Sequence, residues 1–134
     1  MCLYVKSKEC PELQPAEKDI TVWKVLSRGM SGGLVTPFQG YPVTDKTMKA
    51  DGAYFPERDM PVMNWWRIGE GVIHSYVYKK DAEWMAHQLR KMCGDRAIVV
   101  EATIPAGTPY IKGEERYGLD LCYGSRQLVL NIEI

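Results

Sequence analysis

The chain has 134 residues, a length that suits one core and one domain over residues 1–134. Hydrophobic residues make up 46% and charged residues 25%, a globular balance that argues against disorder. Lys and Arg number 17, as do Asp and Glu, so net charge gives no general pull toward nucleic acid or an anionic membrane, and no strong nucleic-acid signal stands out.

No apolar run approaches the roughly 20 residues a membrane helix needs, so no membrane association is expected. The opening Met1-Cys2-Leu3-Tyr4-Val5-Lys6 lacks the long apolar segment of a secretory signal, which makes the cytoplasm the expected compartment. Cys2, Cys10, Cys93 and Cys122 form no CxxC pair. Free thiols are therefore expected rather than structural zinc, and neither a metal nor a cofactor is expected.

In chain order, residues 1–6 read as a short strand, and 7–19, with Pro11 and Pro15, as a loop. Ile20 to Ser27 is rich in β-branched and aromatic residues and reads as a strand, which the glycines at 29, 32 and 33 break. Leu34 to Phe38 is a brief extended piece. From residue 39 to 71 prolines and glycines punctuate an irregular segment that still carries Tyr41, Tyr54, Phe55, Trp65 and Trp66. Segments of this kind are often functional. Val72 to Tyr78 reads as a strand, and a helix follows at about 81–93. Its apolar stripe is Ala82, Met85, Ala86, Leu89, Met92 and Cys93, with Asp81 near the start and Gly94 at the C′ position.

Ala97 to Ile104 alternates strictly, with Ile98, Val100, Ala102 and Ile104 on one side and Glu101 and Thr103 on the other. Pro105-Ala106-Gly107 turns the chain into a short edge-like strand, Pro109 to Lys112, and a second irregular stretch runs from Glu114 to Arg126. The last strand alternates Leu128, Leu130, Ile132 and Ile134 with Gln127, Asn131 and Glu133, and its lack of proline makes it internal. Strands joined at hairpin-like spacings, with one principal helix laid on one face, give an α+β fold with a mainly antiparallel sheet.

Few residues offer chemistry. His87 falls off the apolar stripe and reads as solvated. His74 shares a strand face with Tyr76 and Tyr78, a polar-aromatic surface on which a histidine can exchange protons near neutral pH; the plainer alternative is a part-buried histidine satisfied by a backbone group. Ser75 points to the opposite face, so the two cannot pair within the strand. Trp65-Trp66-Arg67 is the densest aromatic feature. Its side chains can stack on a base, a sugar or a partner's residue, or roof the core. Glu114 and Glu115 lie beside a lysine and an arginine and read as solvated.

Several motifs, in order, resemble a group of small, largely uncharacterised proteins of phages and gut bacteria. They are Val22–Leu26 with Thr36-Pro37-Phe38, Gly71–Tyr76 with Asp81-Ala82, Val99–Gly107 with Tyr110–Gly113, and Tyr123–Leu130. The likeness spans most of residues 20–134 and implies a phage or mobile-element origin without a set activity. A more distant resemblance is to the ADP-ribosyltransferase scaffold, with Arg28 after an early strand and Ser75 on the strand before the helix. Where that scaffold carries its catalytic glutamate this chain reads Ser125-Arg126-Gln127, so the resemblance argues against transferase chemistry.

Two functional readings follow. The first is a soluble, non-catalytic binding or interaction module, with Trp65, Trp66 and Arg67 at an interface, such as that of a homo-oligomer. The alternative is an enzyme acting on a small nucleotide-like ligand, with Arg28, His74, Ser75 and Tyr76 at the site.

Overall fold

The structure, a computed structural model, describes residues 3–29, 32–37, 41–60, 64–93, 96–115 and 120–132, apart from the side chains at 59, 60 and 93. Among the described residues twelve strands form one sheet: β1 Leu3–Lys6, β2 Gln14–Pro15, β3 Ile20–Arg28, β4 Leu34–Val35, β5 Thr47–Lys49, β6 Glu57–Met60, β7 Trp65–Ile68, β8 Ile73–Tyr76, β9 Ala97–Ile104, β10 Pro109–Glu114, β11 Leu121–Ser125 and β12 Gln127–Leu130. The single helix among the described residues, α1 Lys79–Cys93, lies between β8 and β9. The spatial order is β5-β12-β9-β3-β8-β11-β10-β1-β7-β6, with β2 also on β10 and β4 also on β3. Every pairing is antiparallel, so the fold is α+β as the strand spacing implied.

Both faces of the sheet carry apolar clusters. On the helix face Leu3, Val25, Ile68, Tyr76, Ala97, Ile111 and Cys122 pack with Ala82, Ala86 and Leu89 of α1. On the opposite face Val22, Leu26, Val100, Ala102, Ile104, Leu128 and Leu130 cluster with Ala16 and Val43 from the connections, Leu34 of β4 and Met48 of β5. The alternation of β9 and β12 thus sends its larger apolar set away from the helix. β12 lies between β5 and β9, an internal position, as its pattern implied; Glu133 and Ile134 fall outside the described residues.

α1 begins two residues earlier than the apolar pattern suggests. The Tyr78 carbonyl accepts the Asp81 and Ala82 amides, which makes Tyr78 the cap and Asp81 a first-turn acid facing the positive end of the dipole. Lys79 sits 5.3 Å over the Trp23 ring and ties that first turn to β3. Met92, assigned to the stripe, is instead 77% exposed; Gly94 and the Cys93 side chain lie outside the described residues.

Three segments differ from the sequence reading. Residues 39–71 are not irregular throughout: they hold β5, β6 and β7, short strands whose register comes from β12 and β1 rather than from any alternation of their own. β10 runs on through Gly113 to Glu114 and is no edge, since β11 lines one side and β1 and β2 the other. Residues 121–125, within the stretch whose sequence reads as irregular, form β11. Gly113 and Gly124 disguise both strands. Each leaves room for Leu3, which lies across them, and a Cβ on Gly113 would also meet the Tyr4 carbonyl oxygen at 2.6 Å. The missing side chains that look like strand breakers are what let the Leu3 side chain lie over β10 and β11.

Candidate functional site

The structure places the four residues considered for a ligand site in three different settings. His74 lies on the helix face, largely buried, and its Nε2 is 3.1 Å from the Ile68 carbonyl. A carbonyl only accepts, so Nε2 carries the proton. Burial first, then the nearby Lys24 ammonium, push the imidazole down to about 4. Tyr76 is 3% exposed in the core under α1, and its hydroxyl bonds to the Glu115 carboxylate. Ser75 points the other way, 1% exposed, with its Oγ lacking a hydrogen-bond partner. Arg28 is exposed at the far end of β3, its Nη1 3.3 Å from the Gly32 carbonyl. His74 and Tyr76 share a face, as their spacing required, but the four do not converge.

Glu115, read as solvated, is in fact 7% exposed. Besides Tyr76 it receives a long contact of 3.8 Å from the Cys122 thiol. Burial, then the Glu115 and Asp120 charges, push that thiol well above its ordinary range, so Cys122 is an inert core sulfur. Asp81 is raised by burial and by Asp120. This knot sits beneath the start of α1 and anchors the β10–β11 connection to β8. The described residues hold no group of three or more His, Cys, Asp and Glu arranged for a metal ion. Among the described cysteines Cys10 and Cys122 are free thiols; Cys2 lies outside them.

Sequence reasoning passed over Lys24. β3 meets β8 in register only at Trp23↔Tyr76. Past that point the Lys24 ammonium reaches the His74 carbonyl at 2.7 Å, occupying the place a ladder bond would take. Desolvation lowers Lys24 to about 8. Its position inside an apolar strand was the available signal, since lysine is seldom buried without a partner.

The interface candidates sit on β7. Trp66 lies on the helix side, its indole N–H donating to the Ser7 carbonyl at 3.0 Å and its ring under the Arg58 guanidinium at 5.1 Å. Trp66 is thereby committed to the fold. Trp65 and Arg67 point to the opposite side, where Arg67 pairs with Glu57 at 3.1 Å across β6. Their neighbours on that side follow from the registers. Tyr4 stands against Arg67, Lys6 against Trp65, and Tyr123 against Lys112, while Tyr110 touches Tyr123 edge-on at 5.8 Å. Tyr4, Trp65, Tyr110 and Tyr123 are half-buried, whereas Lys6, Arg67 and Lys112 are exposed. Four adjacent strands, β11-β10-β1-β7, therefore present rings interleaved with cations, with Glu114 half-buried beside Lys112 on the same side and Tyr110 and Tyr123 resting on the apolar cluster there. None of this can be seen in one dimension, because the residues come from positions 4–6, 65–67, 110–112 and 123.

A shallow depression also opens at the Pro105–Pro109 turn beside Lys49, Arg126 and Gln127. Its amides are already spent: Ala106 N–H donates to Asp19, Gly107 N–H to the Ala16 carbonyl and Thr108 N–H to the Pro105 carbonyl. Gln127 starts β12 at this end of the sheet, near Thr21 and Thr103, while Arg28 lies at the other end of β3, beyond Ser27↔Ala97. The nine residues of β3 separate them by roughly 26 Å of strand. No protein family, curated protein or solved structure matches the chain.

Proposed function

We propose that the protein is a non-catalytic binding module that takes an anionic ligand bearing planar rings, of nucleotide type, on the outer face of β11-β10-β1-β7. The observation that carries this reading is the interleaving of Tyr123, Tyr110, Tyr4 and Trp65 with Lys112, Lys6 and Arg67 on one side of four neighbouring strands. Half-exposed rings offer a stacking surface, and the cations beside them meet the charge of a phosphate. The enzymatic alternative draws no comparable support, since Arg28, His74, Ser75 and Tyr76 point to different surroundings.

Adenosine 5′-monophosphate tests the reading. Titrated into the protein at low ionic strength, it should quench tryptophan fluorescence and raise Tm, and Trp65→Ala should abolish most of the quench while leaving Tm of the free protein within a few degrees. An unchanged quench in Trp65→Ala, or none in the native chain, counts against this face. Sedimentation run alongside reports self-association. A dimer that Trp65→Ala dissociates would make the same surface a subunit interface instead.

A further inference from the structure

We propose that the ligand of this face is a single-stranded nucleic acid, laid across β11, β10, β1 and β7 with its bases on the aromatic rings and its phosphates on Lys112, Lys6 and Arg67. The inference rests on the binding face argued above and names what occupies it.

The face repeats its elements. One nucleotide needs one ring to stack on and one cation. The face supplies four rings and three cations, in the registers Tyr123↔Lys112, Lys6↔Trp65 and Tyr4↔Arg67. Neighbouring strands lie ~4.8 Å apart, so the row from β11 to β7 spans roughly 14 Å, more than one nucleotide covers. A ligand that repeats base and phosphate matches a surface that repeats ring and cation.

Carrying the Tyr4↔Glu114 register forward two residues sets Lys6 against Lys112, and the intermediate step is visible in Val5, whose Cγ2 would lie 3.1 Å from a Cβ on Gly113. Two exposed lysines thus oppose each other across adjacent strands, an arrangement that costs stability by like-charge repulsion. A phosphate between them relieves that repulsion. Arg67 is held by Glu57, but the pair is about half exposed on both sides, so a phosphate competes for it with little penalty. Glu57 and Glu114 share this side, so the face carries a small positive excess that centres on Lys6 and Lys112, and the chain's overall neutrality is compatible with a local attraction there.

Fluorescence polarisation with labelled oligothymidylate and oligouridylate of 4, 8 and 12 residues tests the proposal in 50 mM salt. Affinity should rise with length to 8 or 12 residues and fall with salt on a logarithmic slope of about 2, the release expected when three phosphates are neutralised on a single strand. Lys112→Glu should weaken binding at least tenfold and should not lower Tm, because it removes the Lys6–Lys112 repulsion. Lys46→Glu, an exposed charge on the β4–β5 connection, should bind as the native chain does. Duplexes or poly-glutamate binding as tightly as the single strands would overturn the proposal. Adenosine monophosphate binding as well as the 12-residue strands would overturn it while leaving the binding face standing. No binding by any of these probes, with Lys112→Glu and Trp65→Ala silent, would remove both.

Discussion

Two buried nitrogens, on Lys24 and His74, sit on either side of the place where β3 and β8 part, and burial lowers the pKa of both. His74 is kept neutral, down at about 4 against an ordinary 6.5. Between those values the unfolded chain binds a proton that the folded chain refuses, so stability falls as pH drops from 6.5 toward 4 and this contribution is flat above 6.5. His74→Gln retains an N–H for the Ile68 carbonyl and does not titrate. Thermal melts at pH 7 and pH 5 should therefore differ less in that variant than in the native chain, and an equal difference would mean that His74 does not set the slope. Lys24, near 8 against an ordinary 10.5, is the high-pH counterpart. Between those values the unfolded chain again holds more protons, so stability rises with pH from 8 upward, and Lys24→Met should abolish the rise between pH 8 and 9.5. Ser75 and Ser125 are simpler cases. Each is at most 1% exposed with a hydroxyl that has no hydrogen-bond partner. Removing an unmade hydrogen bond relieves its desolvation, so Ser125→Ala should match or exceed the native chain by up to ~1 kcal/mol in urea unfolding. A loss of that size would reveal a partner for the hydroxyl.

At the scale of the element, β10 and β11 show what a strand pattern conceals. Ile111 and Cys122 face the helix-side core, yet Gly113 and Gly124 occupy the next inward positions, so the alternation breaks before the strand does. The side chain that fills those gaps is Leu3, over a hundred residues away in sequence from both. Gly113→Ala would press a methyl group into Leu3 and into the Tyr4 carbonyl, and backbone cannot yield as a side chain can. We expect it to cost on the order of 3 kcal/mol by urea unfolding, with no rescue from Leu3→Ala, because the carbonyl remains. Full rescue would show that only the Leu3 side chain was in the way. The helix is the reverse case. Ala82, Ala86 and Leu89 could be read directly, since a 3.6-residue period records which side is buried, while its true first turn depended on the Tyr78 carbonyl and on Trp23 beneath Lys79.

Across the whole molecule, Arg126 holds together parts that the sequence scatters. From the junction of β11 and β12 its Nη1 donates to the carbonyls of Gly52, at 2.8 Å, and Gly71. Gly71 needs its positive φ of 79° there, and a Cβ would strike the backbone at Ala53 and Tyr54. Arg126→Met keeps the stem and loses both bonds, so it should lower stability by roughly 2 kcal/mol in urea unfolding. It should also expose the 50–56 segment to protease before the rest of the sheet, and even cleavage throughout would argue against a local clamp. The same long reach governs the candidate site. His74, Ser75 and Tyr76 stand out in one dimension because unusual residue types adjoin, but their surroundings tie them to backbone and core. The ring-and-cation face stayed hidden because Tyr4, Trp65, Lys112 and Tyr123 become neighbours only through registers between distant strands. What the chain determined alone was the class of fold, the helix, and the alternating strands β9 and β12, because these depend on periodicities of 2 and 3.6 that local backbone geometry imposes. Tertiary structure decided which strands adjoin, which glycines sit inside them and which polar groups are buried, because those depend on contacts between segments that no local pattern encodes.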